Sequence, residues 1–502
     1  MKQLHHIALS LIILAFPDLA FPQTPLVYAH LWNPSICLPY ANIDTGFRNK
    51  CCTRSHTTQH AYRTVPNLFL HRLNAKHDEI LGVPESRGDS FEGPHGRNIS
   101  QLLHKTGILS KVAPGIYAGL PVGHKIMARL ERVVRVEMAR LGAHEISLPI
   151  LQPEGIMISR LSEFGSDLYK VVDRHRQLLH LSPTCEEHLC LVVRSELSPL
   201  SKSRLPIRLY QIKTKFRDEI RPSDAGMRCR EFTMKDAYSF HADTDSAFAA
   251  YVDFKECYKR IMDILQISYN VYENITEAGS DEEFRVLIDN HGEEPTEMEI
   301  AHLFQLGTSI TTEAGLMYED SGREQKPVYL NSYGIGLHRL LYAAISQHCD
   351  GDGLRVPQLM APYDVAIVPC EHGDAESVKL AKDLQLMLGR RGLHSMLDDR
   401  DIPVKHRTND LRTIGVPHIV YVSRSLQGAE RHAPSAELAE GIKSCAATSN
   451  SYHLWQSETS IIARNKTSTH EDISGKMVRY VWRAADGEYV LPVSDLLDLL
   501  SV

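Results

Sequence analysis

Hydrophobic positions recur at helical spacing from Pro121 to Gly142. Leu130, Val133, Val134, Met138 and Leu141 fall on one face there, and Gly142 suits the left-handed residue that ends a helix. A strand is predicted next, His144 to Leu148, stopped by Pro149. Residues 207–241 read as a hairpin: a β-rich run, a breaker loop with Pro222 and Gly226, then a second run. Helical spacing returns over 244–267 with Phe248, Tyr251, Phe254, Tyr258 and Ile261. Val328 to Tyr333 predicts a strand and Leu337 to Gln347 a helix.

The rhythm changes after Ala361-Pro362. A strand at 364–368, a helix from Ala375 to Leu388, a strand from Ser395 to Leu397, a short helix and a strand at 418–422 alternate, as in a small α/β domain with a mostly parallel sheet. Residues 424–475 are polar and aperiodic, and an irregular insertion is expected at about 426–475. Val478 to Leu500 predicts a final strand pair and helix.

At 502 residues the chain exceeds one ordinary core. The segmentation gives a leader over 1–90, a larger domain over 95–358 and a smaller one over 361–502. Apolar content of 43% and charged content of 23% are those of a soluble globular protein. The net charge of −7 gives no general nucleic-acid signal, yet it leaves room for a local basic surface. The 10 cysteines are scattered without zinc-knuckle or disulfide spacing, so reduced thiols in a reducing compartment are expected. Ile7 to Phe16 is apolar but too short to span a bilayer, so no membrane partner is expected. Before Asp78 acidic residues are sparse and Arg48, Arg54, Arg63 and Arg72 are spread through the chain, which suits an organellar presequence. The mitochondrial matrix is the expected location, with the cytoplasm or another organelle as alternatives.

The chemistry concentrates at Phe216-Arg217-Asp218-Glu219 and from Arg228 to Asp236. Side chains alternate faces on a strand, so Arg217 and Glu219 would share one face, and Arg228, Arg230, Phe232, Met234 and Asp236 another. Arginines, a ring and carboxylates make a poor core. They suit a nucleotide well: guanidinium for phosphate, ring for adenine, carboxylate for amino groups. A solvated, salt-bridged sheet face is the plain alternative. No GxxxxGK[ST] loop competes for the nucleotide.

That stretch resembles motif 2 of class II aminoacyl-tRNA synthetases, matched by Arg217, Glu219, Arg228, Phe232 and Asp236. The resemblance implies an α+β catalytic domain, an antiparallel sheet of six or seven strands flanked by helices, followed by a small α/β anticodon-binding domain. It gives Arg217 the α-phosphate, Phe232 the adenine face and Glu219 the adenine edge. Gly334, Gly336 and Arg339 resemble motif 3, with Arg339 reaching the outer phosphates; Arg217 and Arg339 are the implied catalytic residues. Motif 1, the dimerisation element, is loosely matched by the helix ending at Gly142 and the strand before Pro149. Ser182-Pro-Thr184-Cys-Glu186-Glu187 resembles the TxE loop of prolyl-tRNA synthetases, where Thr184 and Glu186 would meet the secondary ammonium of proline. On spacing alone, Ser182 or Thr184 could equally be a helix cap.

His302 to Gly307 resembles the same family's HIFQLG segment, which implies His302 near the proline pocket and Glu299 and Gln305 near ATP. Asn331-Ser332 stands where the family usually has Gly-Cys, which puts Ser332 at the edge of that pocket. Tyr238 occupies the position where threonyl enzymes carry a zinc-ligand histidine, so no zinc is implied. Leu397 to Arg400 and Ile414 to Pro417 resemble landmarks of the anticodon-binding domain. The implied partners are ATP with Mg²⁺, L-proline, tRNA(Pro) and a second copy of the chain. Bacterial members carry a long editing insertion, for which the span from Phe284 to Glu299 leaves almost no room. A synthetase-like subunit without catalysis is the alternative function, against which Arg217, Arg228 and Arg339 all stand.

Overall fold

The computed structural model describes residues 99–156, 165–222, 227–276, 279–288, 296–350, 352–371, 373–453, 473–484 and 487–500. They all belong to one compact unit, Tyr62–Val502. The leader over 1–90 lies outside the described residues.

Helix α1 (Pro121–Arg140) starts with proline at a first-turn position, where the missing N–H costs nothing. It stops where Gly142 takes φ 65°. Ile126, Leu130, Val133, Val134 and Met138 are buried along one side. The strand expected over 144–148 shrinks to β1 (His144–Glu145), parallel to β2 (Ile207–Phe216). Its ladder ends because the Leu148 N–H is taken instead by the Gln211 side chain at 3.0 Å. Helix α2 (Glu186–Leu197) lies between them in sequence.

Strand β3 (Glu231–His241) pairs antiparallel with β2, Phe216 opposite Glu231. The hairpin loop is therefore longer than expected. Arg217, Glu219, Arg228 and Arg230 sit on it rather than on the strands, and only Phe232, Met234 and Asp236 keep the alternation. Helix α3 (Thr244–Ile264) is capped by the Asp243 carboxylate, which accepts from the Ser246 N–H. Tyr251, Phe254, Tyr258 and Ile261 are buried, whereas Phe248 is exposed. At about 100° per residue Phe248 lies a quarter-turn from the centre of that face, with Val252 beside it.

Strands β4 (Asn270–Thr276), β5 (Gly279–Ile288), β6 (Thr296–Gly307) and β7 (Tyr329–Gly336) complete a seven-stranded sheet in the order β4-β5-β6-β7-β3-β2-β1. Every pairing except β1 with β2 is antiparallel, as the fold expectation requires. Helix α4 (Leu337–Gln347) leaves β7 directly.

The second domain holds β8 (Val365–Pro369), α5 (Ala375–Arg390), β9 (Ser395–Leu397), α6 (Val404–Thr413) and β10 (His418–Val422). Helix α7 (Ala436–His453), strands β11 (Met477–Trp482) and β12 (Gly487–Pro492) and helix α8 (Val493–Leu500) follow. The sheet order is β9-β8-β10-β11-β12, parallel through the first three and antiparallel beyond, so the sheet is mixed rather than mostly parallel. Helix α7 falls where an irregular insertion was expected. Among the residues whose side chains are described, Leu438 and Ala439 pack against the core and Ile442 is fully buried in it. A buried ion pair, Arg129 to Asp364 at 2.9 Å, joins α1 to the start of this domain. Among the described residues no helix is long and apolar enough to cross a membrane.

Candidate active site

The exposed face of the large sheet carries a cleft, with Phe232 and Met234 from β3, His302 from β6 and Gly336 at the end of β7 lining it. The hairpin loop contributes Arg217, Glu219, Met227 and Arg228, and the first turn of α4 contributes Arg339.

At one end two cations converge. Arg339 Nε donates to the Met227 carbonyl at 3.0 Å, and its Nη1 to the Glu299 carbonyl at 2.9 Å and carboxylate at 3.2 Å. The Arg217 guanidinium lies over the Phe232 ring at 5.5 Å. Burial and the neighbouring Arg339 charge both push Arg217 down from its usual pKa. Its Nε is buried with no partner among the described residues. A buried cationic donor left over beside a second cation is the arrangement an anion would complete. Burial alone would raise the Glu299 carboxyl. Its hydrogen bond with His302 Nδ1, at 3.0 Å, and the charges of His302, Arg339 and Arg217 outweigh burial and hold it at about 2.

On the sheet face that Ser332 shares with Gly334, Glu186, the first residue of α2, is buried. Ser332 Oγ donates to Glu186 Oε1 at 2.9 Å, and the Thr184 hydroxyl donates to its other oxygen. The residue in the cap position is Cys185, without a side-chain cap bond, so Ser182 and Thr184 are not the helix cap. The His302 ring stacks on Phe304 at 4.3 Å. Gly334 is in register with His302, and a Cβ there would stand 2.4 Å from His302 Cε1 and from Met234 Cε. The missing side chain makes room for these two to lie across the sheet.

The structure thus gathers Arg217, Glu219, Arg228, Phe232, Glu299, His302, Gly334, Gly336 and Arg339 around one cleft, with Thr184, Glu186 and Ser332 bonded to one another. Gln305 is not among the lining residues. It pairs with Asn331, whose side chain points to the α3 side, and alternation turns Gln305 away from His302. Asp236 lies below the cleft and pairs with Lys215 at 3.0 Å. Lys215, Gln211 and Cys185 carry no role in the sequence motifs. The available signal was Gln211 and Lys215 sharing one face of an otherwise β-rich run.

The class II tRNA synthetase core domain (G, H, P, S and T) matches residues 169–348. Fold and site together define a class II synthetase. Proline–tRNA ligases of Rickettsia rickettsii (strain Sheila Smith) and Rickettsia prowazekii (strain Madrid E) are each 30% identical over 375 residues, 64% of this chain and 87% and 86% of theirs. The chain belongs to the proline–tRNA ligase family. Its fold is also that of Giardia lamblia prolyl-tRNA synthetase in complex with prolyl-adenylate (TM-score 0.64, 19% identity, 82% of this chain and 78% of that one). The Cryptosporidium parvum prolyl-tRNA synthetase complexed with L-proline and AMP gives a TM-score of 0.62 at 18% identity, over 79% and 72% of the two chains.

Proposed function

We propose that the chain activates L-proline with ATP and transfers it to tRNA(Pro). The observation that carries this reading is the Thr184–Glu186–Ser332 cluster set on the same sheet face as the Arg217–Arg339 pair. In the first step a proline carboxylate oxygen attacks the α-phosphorus in line. The bond to the β-phosphate oxygen breaks, and pyrophosphate leaves from prolyl-adenylate. In the second, a terminal ribose hydroxyl of the tRNA attacks the prolyl carbonyl and AMP leaves.

No protein nucleophile is needed, so the rate comes from positioning and charge. Arg217 takes the α-phosphate, Arg339 and Arg228 the outer phosphates, Phe232 stacks on adenine and Glu219 meets its edge. Glu186 and the Thr184 oxygen receive the two N–H donors of the secondary ammonium. Met234 and His302, laid flat over Gly334, face the ring. Magnesium would come with ATP and neutralise phosphate charge, and Glu299, the carboxylate paired with Arg339, would be the residue placed to hold it.

Two further assignments belong to this reading. A homodimer is supported by α1 and β1, which stand where the family has its dimerisation motif; sedimentation of the purified chain tests it. A mitochondrial location is supported by the arginine-spaced, acid-poor leader; the destination of a reporter fused to residues 1–90 tests it. The decisive experiment for the function is ATP–pyrophosphate exchange with each amino acid. Exchange above background with proline is expected. A folded chain silent with every amino acid would overturn the reading in favour of an accessory subunit.

A further inference from the structure

Beneath the amino-acid end of the cleft lies a buried polar cluster that none of the steps above uses. Asp236 is 4% exposed, and its Oδ2 collects three donors: Lys215 Nζ at 3.0 Å, Gln211 Nε2 at 2.9 Å and the Tyr238 hydroxyl at 2.8 Å. The Tyr238 hydroxyl in turn accepts the backbone N–H of Cys185 at 3.2 Å. Cys185 is the residue between Thr184 and Glu186. Its sulfur is a second junction, accepting from Lys215 Nζ at 3.0 Å and Gln211 Nε2 at 3.2 Å.

A buried ion pair repays its desolvation only when its geometry is fully bonded. Apolar residues of similar volume often serve stability as well. Stability is therefore a poor reason for this pair. Burial alone would lower the Lys215 ammonium, but Asp236 and Cys185 outweigh it and keep it raised. Lys215 offsets the Asp236 charge, so Glu186 is left as the carboxylate that answers a substrate ammonium.

We propose that Lys215, Asp236 and Tyr238 are positioning residues for amino-acid recognition. They act through the amide and sulfur of Cys185 to hold Thr184 and Glu186 where a secondary ammonium needs them. The inference rests on the proline reading of the site. Tyr238 is the link to the loop backbone, and Asp236 fixes the Tyr238 hydroxyl. Lys215 and Gln211 bind both the carboxylate and the sulfur, so carboxylate and loop cannot move independently.

The test is proline-dependent ATP–pyrophosphate exchange on the full chain, comparing wild type with Tyr238→Phe and Asp236→Asn. Tyr238→Phe keeps the ring and its packing and deletes only the hydroxyl. Its KM for proline should rise about fivefold, the worth of roughly one neutral hydrogen bond. The KM for ATP and kcat should stay within about twofold, because nothing at the phosphate end is touched. Asp236→Asn should raise the proline KM further. If that variant fails to fold, Tyr238→Phe decides alone. An unchanged proline KM in active Tyr238→Phe, or matched rises for both substrates, would overturn the clamp and leave the function standing. No proline-dependent exchange in the wild type would overturn the functional reading, and the clamp with it.

Discussion

Arg339 and Glu299 are joined twice, because one guanidinium nitrogen donates to both the carbonyl and the carboxylate of the same residue, at 2.9 and 3.2 Å. The bond locks the first turn of α4 to β6 and fixes Arg339 in place before any nucleotide arrives. The hydrogen bond and charge of His302, with the charges of Arg339 and Arg217, outweigh burial and hold the Glu299 carboxyl at about 2, against a usual 4.5. A carboxyl with a depressed folded-state pKa contributes stability above its unfolded pKa, and that stability is lost as pH falls through the folded one. Wild type should therefore lose thermal stability between about pH 4.5 and 2, and Glu299→Gln should lack that component. Melting curves of the two proteins across this range check it. Parallel pH dependence would detach Glu299 from the arginine pair.

Arg217→Ala should nearly abolish adenylate formation with little change in melting temperature. Losing a charge-assisted contact to a transition-state phosphate costs on the order of 3 kcal/mol, about a hundredfold in rate. Arg217→Lys should also be poor. An ammonium reproduces neither the planar fork nor the contact with the Phe232 ring at 5.5 Å. Single-turnover adenylate formation measures both. Turnover near wild type in Arg217→Ala would mean that Arg217 does not contact the reacting phosphate.

Much of this site was legible because its residues are chemically costly where they stand. Arginines and an aromatic ring on one β-rich stretch have few structural excuses, and Arg217, Phe232 and Arg339 do meet in one cleft. Strand ends were read less well. Periodicity does not show that the ladder stops at Phe216, since Arg217 and Glu219 continue the same alternation into a loop. Phe248 was misplaced for a related reason: an aromatic at i−3 fits the helical pattern yet lies at the margin of its face. The Lys215–Asp236 pair is a tertiary fact. Its partners are 21 residues apart in the chain and become neighbours only through the β2–β3 register. Helix α7 does not stand out in the sequence because after Ile442 its residues are mostly small or polar, with no strong apolar periodicity.

Glu186→Gln should raise the KM for proline more than that for ATP, since the carboxylate is assigned only to the substrate ammonium. Ser332→Ala should act in the same direction but more weakly. It removes one neutral donor to Glu186, worth about 1 kcal/mol. Steady-state exchange with each substrate varied in turn separates the two KM values. Equal effects on both would make Glu186 a structural residue.

Gly334→Ala tests the packing across the sheet. The new methyl would stand 2.4 Å from both His302 and Met234, so one must swing away. Overpacking of this kind costs about 1–3 kcal/mol. The displaced ring should also loosen the Glu299 contact, so exchange should fall along with stability. Calorimetry and exchange on the same preparation report both. Full activity at unchanged stability would show that the two side chains yield freely.

Accuracy follows from the short span of chain between β5 and β6. Alanine is smaller than proline, and a pocket cannot exclude a smaller ligand by clash. It can only bind it less well, and one or two missing methylenes are worth about 1–3 kcal/mol. A synthetase that carries a second, hydrolytic site can offset that by clearing the wrong product. Here β5 ends at Ile288 and β6 begins at Thr296, so the stretch between them is too short to fold into a second site. The chain should therefore form alanyl-tRNA(Pro) slowly but measurably and fail to clear it. The experiment presents pre-charged alanyl-tRNA(Pro) and follows its decay with and without the protein. Matching decay curves are expected. Protein-dependent hydrolysis well above the spontaneous rate would place an editing site elsewhere in the chain, and residues 426–475, which the family resemblance does not cover, would be the first to delete.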